Sequence, residues 1–169
     1  MKIAITDACI FIDLFELDLI AGFFELDLDA HTSVDVHNEL DTEQKEILQP
    51  LIDRSQLTIH TLTGEELLAI NAAGYPKALS NSDKTVLFLA EHMDAVLLSS
   101  DKLVRNTAKN KGIDYHGLLW VMDKLLEQSI ISKVLAIQKM KLLMGFTFYR
   151  NNMGLMEEMK KRVALWELN

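Results

Sequence analysis

The sequence is poor in the residues and runs on which several protein classes depend. Its single cysteine, Cys9, excludes an intrachain disulfide and fits a reducing compartment, so we expect a cytoplasmic protein. No apolar run approaches the roughly 18 residues that cross a bilayer, so we expect no membrane partner. The apolar N-terminal segment is interrupted by Asp7 and Asp13 and lacks a small-residue cleavage site, which argues against a signal peptide.

The signature motifs of several enzyme classes are missing as well. The sequence has no P-loop, no G-x-G-x-x-G and no G-x-S-x-G elbow, so nothing supports nucleotide-dependent or acyl-transfer chemistry. The five histidines form no i,i+4 pair and have no cysteine partner at zinc spacing. We therefore expect no zinc site.

Positive charge is scarce in the N-terminal part of the chain. Residues 1–98 carry 5 Lys+Arg against 18 Asp+Glu, a net charge of −13, whereas residues 99–169 carry 12 against 7, a net charge of +5. The acidic part argues against nonspecific coating of nucleic acid, which needs clustered cations. The basic run after Asp101, "KLVRNTAKNK", is either a local track for phosphates or a solvated helix face.

The hydrophobic pattern indicates one α/β domain. Strand-like segments alternate with helical ones, which predicts a parallel sheet covered by helices on both faces. The strand candidates are residues 2–6, 30–34, 57–62, 95–99 and 113–116. The helix candidates are residues 8–23, 37–54, 63–74, 83–93, 101–111 and 117–128. Pro50 predicts a kink or break inside the second helix, and Gly22 lies near the expected end of the first.

Four acidic residues lie at or near the ends of predicted strands. Asp7 follows the first strand and Asp101 the fourth; Glu39 comes about one helical turn after the second, and Asp83 opens the helix before the fourth. An open parallel sheet binds ligands beyond the carboxyl ends of its strands. Four carboxylates converging there would repel one another and need a cation, and oxygen ligands suit Mg²⁺ or Mn²⁺ better than zinc.

Each acid also has a purely structural explanation. Asp7 and Asp101 fit as helix N-caps, and Asp83 fits as the partner of Ser80 in a variant of the capping box. Glu39 fits as a solvated helix residue. The residue pattern alone leaves both explanations open.

Three segments of the sequence resemble PIN domains, the small metal-dependent ribonuclease fold to which many bacterial VapC-type toxins belong. They are "ITDACIFIDLF", "LSNSDKTVLFLA" and "VLLSSDKLVRNTAKNKGIDYHGLLWVMDKL", and the resemblance covers about residues 1–132. It implies a three-layer α/β/α domain with a central parallel sheet of four to five short strands. Residues 133–169 would form a helical C-terminal extension, packed on the same domain or on a partner.

The resemblance also implies a catalytic site. The family's acidic quartet corresponds to Asp7, Glu39, Asp83 and Asp101. Asp7, Asp83 and Asp101 would bind Mg²⁺ or Mn²⁺, and Glu39 would act as a ligand or as a base through water. Ser99 matches the small hydroxyl residue that often precedes the last acid.

Two assignments around this quartet are less specific. Asp35 and Asp41 lie close to Glu39 in the sequence and are alternatives for the second acid. Lys102 and Arg105, one turn apart, are candidates for binding RNA phosphate, and a solvent-facing pair is the alternative.

The implied function is endoribonuclease activity that leaves a 3′-hydroxyl and a 5′-phosphate, with RNA as the substrate. A toxin role, with an antitoxin protein and a homodimer as further partners, follows from the same resemblance. The acidic N-terminal half would then either receive a basic antitoxin segment or leave only a narrow basic track in contact with RNA. A catalytically inactive PIN-like scaffold is the alternative. A haloacid-dehalogenase-type phosphatase is a distant third, because it needs a second aspartate where Cys9 stands.

Overall fold

The computed structural model describes residues 1–168 and contains one five-stranded sheet. Its strands are β1 (Lys2–Thr6), β2 (Leu28–Ser33), β3 (Leu57–His60), β4 (Val96–Leu98) and β5 (Tyr115–His116). The strand order is β3-β2-β1-β4-β5, and every neighbouring pair is parallel. All five carboxyl ends therefore lie along one edge. The predicted α/β class and its parallel sheet of four to five short strands are confirmed.

Helices connect and cover the strands. In chain order they are α1 (Ala8–Glu16), α2 (Ile20–Phe23), α3 (Val34–Glu39), α4 (Thr42–Asp53), α5 (Gly64–Ala72), α6 (Asn81–His92), α7 (Lys102–Asn110), α8 (Leu118–Glu127), α9 (Lys133–Leu143), α10 (Thr147–Arg150) and α11 (Met153–Glu167). In the described residues, no helix is long and apolar enough to cross a membrane.

The two central strands form the middle of the hydrophobic core. Ile5 in β1 and all of β4 are fully buried. A strand that is covered on both faces buries consecutive side chains, which explains the unbroken apolar run of β4. The residues that follow these strands are consequently held on a rigid base.

The first predicted helix is in fact two helices. The chain leaves α1 at Leu17 and resumes as α2 at Ile20, with Asp18 between them at φ 55°. Aspartate tolerates this left-handed conformation better than most residues. Leu17 and Leu19 are both buried, so the turn places two apolar side chains in the core, and Gly22 lies one residue before the end of α2, as predicted.

The predicted break at Pro50 is wrong. α4 continues through Pro50 to Asp53, and the chain breaks earlier, at Leu40. Asp41 begins α4 with a reciprocal capping box to Gln44, which stabilises a new helix start at that point. Pro50 lacks a backbone N–H and so removes one hydrogen bond, in the last turn of α4, which ends three residues later.

The C-terminal helices pack against the sheet domain. Apolar side chains of α9 and α11, among them Met140, Met159 and Trp166, are buried in the same continuous core. On the surface of that packing, Arg162 of α11 makes a two-pronged ion pair with Asp123 of α8. A domain division at residue 132 stays a prediction, and Asn169 lies outside the described residues.

Tyr149 ties this C-terminal region to α1. The side chain is only 2% exposed, and its hydroxyl donates a hydrogen bond of 2.6 Å to Asp13 Oδ2. Burial raises the pKa of Asp13, and the hydrogen bond from Tyr149 opposes that rise. The two residues are 136 positions apart in the sequence, so the bond joins the N-terminal and C-terminal parts of the chain.

We expect Tyr149→Phe to lower the free energy of unfolding by about 1–3 kcal/mol, because it leaves the partly buried Asp13 carboxylate without its donor. Urea denaturation at pH 7 measures the change. Tyr115→Phe is the matched control, since the Tyr115 hydroxyl has no hydrogen-bond partner among the described residues, and it should stay within about 0.5 kcal/mol of the wild type. Equal stability of the two variants would contradict this role of Tyr149.

Candidate metal centre at the carboxyl edge of the sheet

Asp7 occupies the buried centre of the edge. It follows β1, is 4% exposed, and its backbone N–H donates to the carbonyl of Leu98 in β4. Its Oδ1 accepts from the backbone N–H of Ala8 at 2.8 Å, so Asp7 caps α1 as the sequence predicts. Its Oδ2 accepts from the Ser99 hydroxyl at 2.7 Å.

Ser99 joins Asp7 to the next acid. Its side chain is fully buried, and its Oγ accepts a hydrogen bond of 3.2 Å from the backbone N–H of Asp101. Asp101 caps α7 through a hydrogen bond of 2.9 Å from Val104 N to Oδ1, which confirms its predicted capping role. One hydroxyl therefore sets the spacing of the acids that follow β1 and β4.

Glu39 and Asp83 enter from the neighbouring helices. Glu39 is the last residue of α3, and its Oε1 accepts a hydrogen bond of 2.8 Å from the Ser82 hydroxyl. Asp83 lies in the first turn of α6 and forms the predicted reciprocal capping box with Ser80. Ser82 and Asp83 are adjacent, so the bond to Glu39 brings the end of α3 next to the start of α6.

The electrostatics of Asp7 show which acids lie near it. Burial raises the pKa of Asp7 to about 6, and the negative charges of Asp83 and Glu39 raise it further, against the hydrogen bonds from Ser99 and Ala8. Asp101 is joined to Asp7 through the Ser99 hydroxyl. The charges of Glu39 and Asp83 thus act on Asp7, whereas Asp101 is linked to Asp7 by the hydrogen bonds of Ser99.

The alternatives for the second acid lie elsewhere. Asp41 caps α4, and Asp35 lines a hollow together with Asn81 and Lys84. Glu39 is among the main causes of the raised pKa of Asp7, so its charge acts on the buried acid. Its place as the second acid of the cluster stays a prediction.

The donor set suits a hard divalent cation. Glu39, Asp83 and Asp101 each use one carboxylate oxygen in a hydrogen bond to the protein, and the other oxygen has no protein donor among the described residues. Within residues 1–168, none of the four acids forms an ion pair with Lys, Arg or His. The same residues contain no group of three His, Cys, Asp or Glu side chains already gathered for ligation. Carboxylates that lie near one another without a neighbouring cation repel each other, and oxygen ligands of this kind suit Mg²⁺ or Mn²⁺.

Cys9 is a neighbour whose contacts the sequence did not reveal. Its thiol lies 3.7 Å from Asp7 Oδ2 and accepts a hydrogen bond of 3.3 Å from Ser100 N. Burial raises its pKa to about 12, so it stays a neutral thiol and is no nucleophile at pH 7. Its contribution is to pack and hold the loop after β4.

The two candidate phosphate-binding cations differ in their surroundings. Lys102 is exposed, with no ion-pair partner among residues 1–168. Arg105 is half-buried; its Nη1 lies 3.4 Å from the Ser99 carbonyl, and its guanidinium lies 5.2 Å from the centre of the Tyr115 ring. Arg105 therefore has a defined position next to the loop that carries Ser99 and Asp101.

The raised pKa of Asp7 leads to a pH-dependent stability. The unfolded chain ionises Asp7 near pH 3.8 and the folded chain near pH 6, so the folded state binds more protons between these values. As the pH rises through this window, the free energy of unfolding of the metal-free protein should fall by up to about 3 kcal/mol. We expect Asp7→Asn to be more stable than the wild type by about 1–3 kcal/mol at pH 7.5 in EDTA, and equal to it at pH 4.

Urea denaturation at the two pH values measures this difference. Asp101→Asn is the control, because asparagine caps a helix as well as aspartate and the side chain is exposed. If Asp7→Asn is no more stable than the wild type at pH 7.5, or is more stable by the same amount at both pH values, then burial of the Asp7 charge does not destabilise the fold.

Comparisons with known proteins place this geometry in a family. A family model described as "DUF3368: PIN domain" matches residues 3–163, nearly the whole chain. Among solved structures, a PilT N-terminus domain protein, SSO1118, from the hyperthermophilic archaeon Sulfolobus solfataricus P2 is similar, with a TM-score of 0.48 and 16% sequence identity. The alignment covers 75% of this chain and 95% of that one. No curated protein matches the sequence significantly. The family model spans the sheet, the four acids and most of the C-terminal helices, and the chain therefore belongs to the PIN-domain family.

Proposed function

We propose that the protein is an Mg²⁺- or Mn²⁺-dependent endoribonuclease. The observation that carries the proposal is the buried Asp7 carboxylate. It shares a hydroxyl with the Asp101 turn, and the negative charges of Glu39 and Asp83 raise its pKa; none of these acids forms an ion pair among the described residues. Burying negative charge in this way is costly unless a cation binds. PIN domains are generally nucleases, which supplies the class of reaction.

Each residue has a specific task in this proposal. Asp7, Asp83 and Asp101 would hold the metal, and the second oxygen of Glu39 would hold the attacking water or bind the ion. When bound in such a site, a divalent cation lowers the pKa of a water molecule and stabilises the leaving oxygen. Ser99 keeps the two strand-end acids at constant spacing.

The substrate contacts follow the charge of the chain. Lys102 and Arg105 would bind RNA phosphates next to the acids, within the part of the chain that carries net positive charge. Cleavage that leaves a 3′-hydroxyl and a 5′-phosphate is the expected outcome. A toxin role in the cytoplasm, an antitoxin bound to the acidic N-terminal half, and a homodimer are further parts of the proposal that rest on the family alone.

A second candidate function is a PIN-like scaffold without catalysis. It is supported by one observation, namely that Asp7, Asp83 and Asp101 all serve as helix-capping residues and so have a structural reason to be present. The haloacid-dehalogenase alternative gains nothing from the family match, and the neutral Cys9 thiol stands where its second aspartate is required.

We expect purified protein to cleave single-stranded RNA with Mn²⁺ or Mg²⁺ and not with EDTA. Asp7→Asn and Asp101→Asn should each lower the cleavage rate by about 100-fold or more, because each removes a negatively charged metal ligand. Gel analysis of a mixed RNA pool gives the rates.

Asp41→Asn is the matched control for this assay. Asp41 is also an N-cap, asparagine preserves the cap, and its carboxylate lies outside the acidic cluster, so cleavage should be unchanged. The scaffold function would be favoured if the wild type cleaves no RNA. It would also be favoured if folded Asp7→Asn and Asp101→Asn proteins cleave RNA at the wild-type rate.

We also expect Mn²⁺ to stabilise the folded protein. A ligand at about 100 times its Kd adds about 2.7 kcal/mol, which raises the Tm by several degrees. Differential scanning fluorimetry should show this shift in the wild type and in Asp41→Asn, and no shift in Asp7→Asn. A shift of equal size in all three proteins would place the metal elsewhere.

A further inference from the structure

A pocket of about 280 Å³ lies beside the acidic site, past the end of β5. Ser100, Arg105, His116 and Gly117 line one side of it, and residues of α8, α10 and α11 line the rest. Its volume is just below the roughly 300–1,000 Å³ of typical ligand pockets, which limits it to a group no larger than about one nucleotide. Ser100 also lines the hollow that contains Asp101, so the pocket and the acids share one loop.

Arg105 supplies the charge of this pocket. Its guanidinium has no carboxylate partner among residues 1–168 and is held by the Ser99 carbonyl and the Tyr115 ring. Gly117 makes room for it, because a Cβ at that position would lie 2.5 Å from Arg105 Nη1. A half-buried cation that faces a pocket without an acidic partner is suited to an anion such as a phosphate.

The rest of the lining offers no second available cation. Arg162 also lines the pocket, but Asp123 binds it at 2.9 Å and Glu158 at 3.3 Å. Its charge is therefore matched within the protein. The formal charges of the lining residues balance, and the pocket is suited to a single anionic group at Arg105 instead of a polyanion across its width.

An aromatic pair stands next to Arg105. The rings of His116 and Trp120 stack with their centroids 4.5 Å apart and their planes 10° from parallel, and both residues line the pocket. The His116 side chain is 32% exposed, so part of it is open to a ligand. Nucleobases stack on aromatic side chains irrespective of sequence, at about 1–3 kcal/mol per base.

We infer that this pocket binds one nucleotide of the single-stranded RNA, with Arg105 on its phosphate and the His116–Trp120 pair against its base. The inference rests on the proposed function for the identity of the ligand, because the pocket opens on the loop that carries Ser99 and Asp101. Binding in the pocket needs neither a metal nor catalysis, and it can be measured on its own.

The test is the affinity of the full-length protein, in EDTA, for a fluorescein-labelled eight-nucleotide single-stranded RNA, measured by fluorescence anisotropy. His116→Ala should weaken binding about tenfold through the lost stacking surface. Arg105→Gln should weaken it by a similar factor and lower the slope of log K against log salt by about 0.7, the value for one phosphate contact on a single strand. Gly117→Ala should reproduce the loss of Arg105→Gln, because the added Cβ displaces the guanidinium.

Arg54→Gln is the matched control. It removes one exposed positive charge at the end of α4 and should leave both affinity and salt slope close to those of the wild type. Competition with free 5′-AMP and 5′-UMP separates an RNA site from a mononucleotide site. The inference requires both to compete at least 100-fold more weakly than the RNA.

The outcomes distinguish this inference from the proposed function. Folded His116→Ala and Arg105→Gln proteins that bind RNA like the wild type would overturn the pocket, even if Asp7→Asn abolishes cleavage. Loss of RNA binding in these variants would support the pocket, even if the wild type cleaves nothing. Free mononucleotides that bind as tightly as RNA would also overturn it, since the ligand would then be a small molecule.

Discussion

The hydrogen bonds of one buried hydroxyl organise the site. Ser99 Oγ donates to Asp7 and accepts from the backbone of Asp101, and it does so at zero solvent exposure between the ends of β1 and β4. Parallel strands bring residues to a common edge but leave their side chains free to rotate. The hydroxyl removes that freedom for Asp7, and it gives the Asp101 turn a constant position relative to it.

The remaining acids are placed by the helices and not by the strands. Glu39 reaches the cluster through Ser82, and Asp83 is held by its own capping box, so both depend on where α6 begins. Capping and metal binding are compatible in this arrangement, because a cap uses one carboxylate oxygen and leaves the other. The geometry therefore allows Asp101 to cap α7 and to bind a cation at the same time. The cap orients the carboxylate, and its second oxygen is left for a cation.

Much of this was predictable from local sequence patterns, and the rest was not, for physical reasons. The parallel sheet and the capping roles of Asp7, Asp83 and Asp101 follow from periodicity and from capping preferences that act within a few residues. The chain breaks at Leu40 and not at Pro50, because the Asp41–Gln44 capping box stabilises a new helix start there and Pro50 costs α4 only one hydrogen bond. The contacts of Tyr149 with Asp13 and of Ser82 with Glu39 join residues 136 and 43 positions apart, and no local pattern encodes them. The effect of the Glu39 and Asp83 charges on the pKa of Asp7 likewise depends on the three-dimensional arrangement.

The metal site is tested most directly by a crystal structure grown with Mn²⁺, with the ion located by its anomalous scattering. We expect a peak within about 2.0–2.6 Å of a carboxylate oxygen of Asp7 and of at least one of Asp83 and Asp101, with the Ser99 hydroxyl still bound to Asp7. A peak at another acidic cluster, or none at a saturating Mn²⁺ concentration with the four acids unchanged, would contradict it.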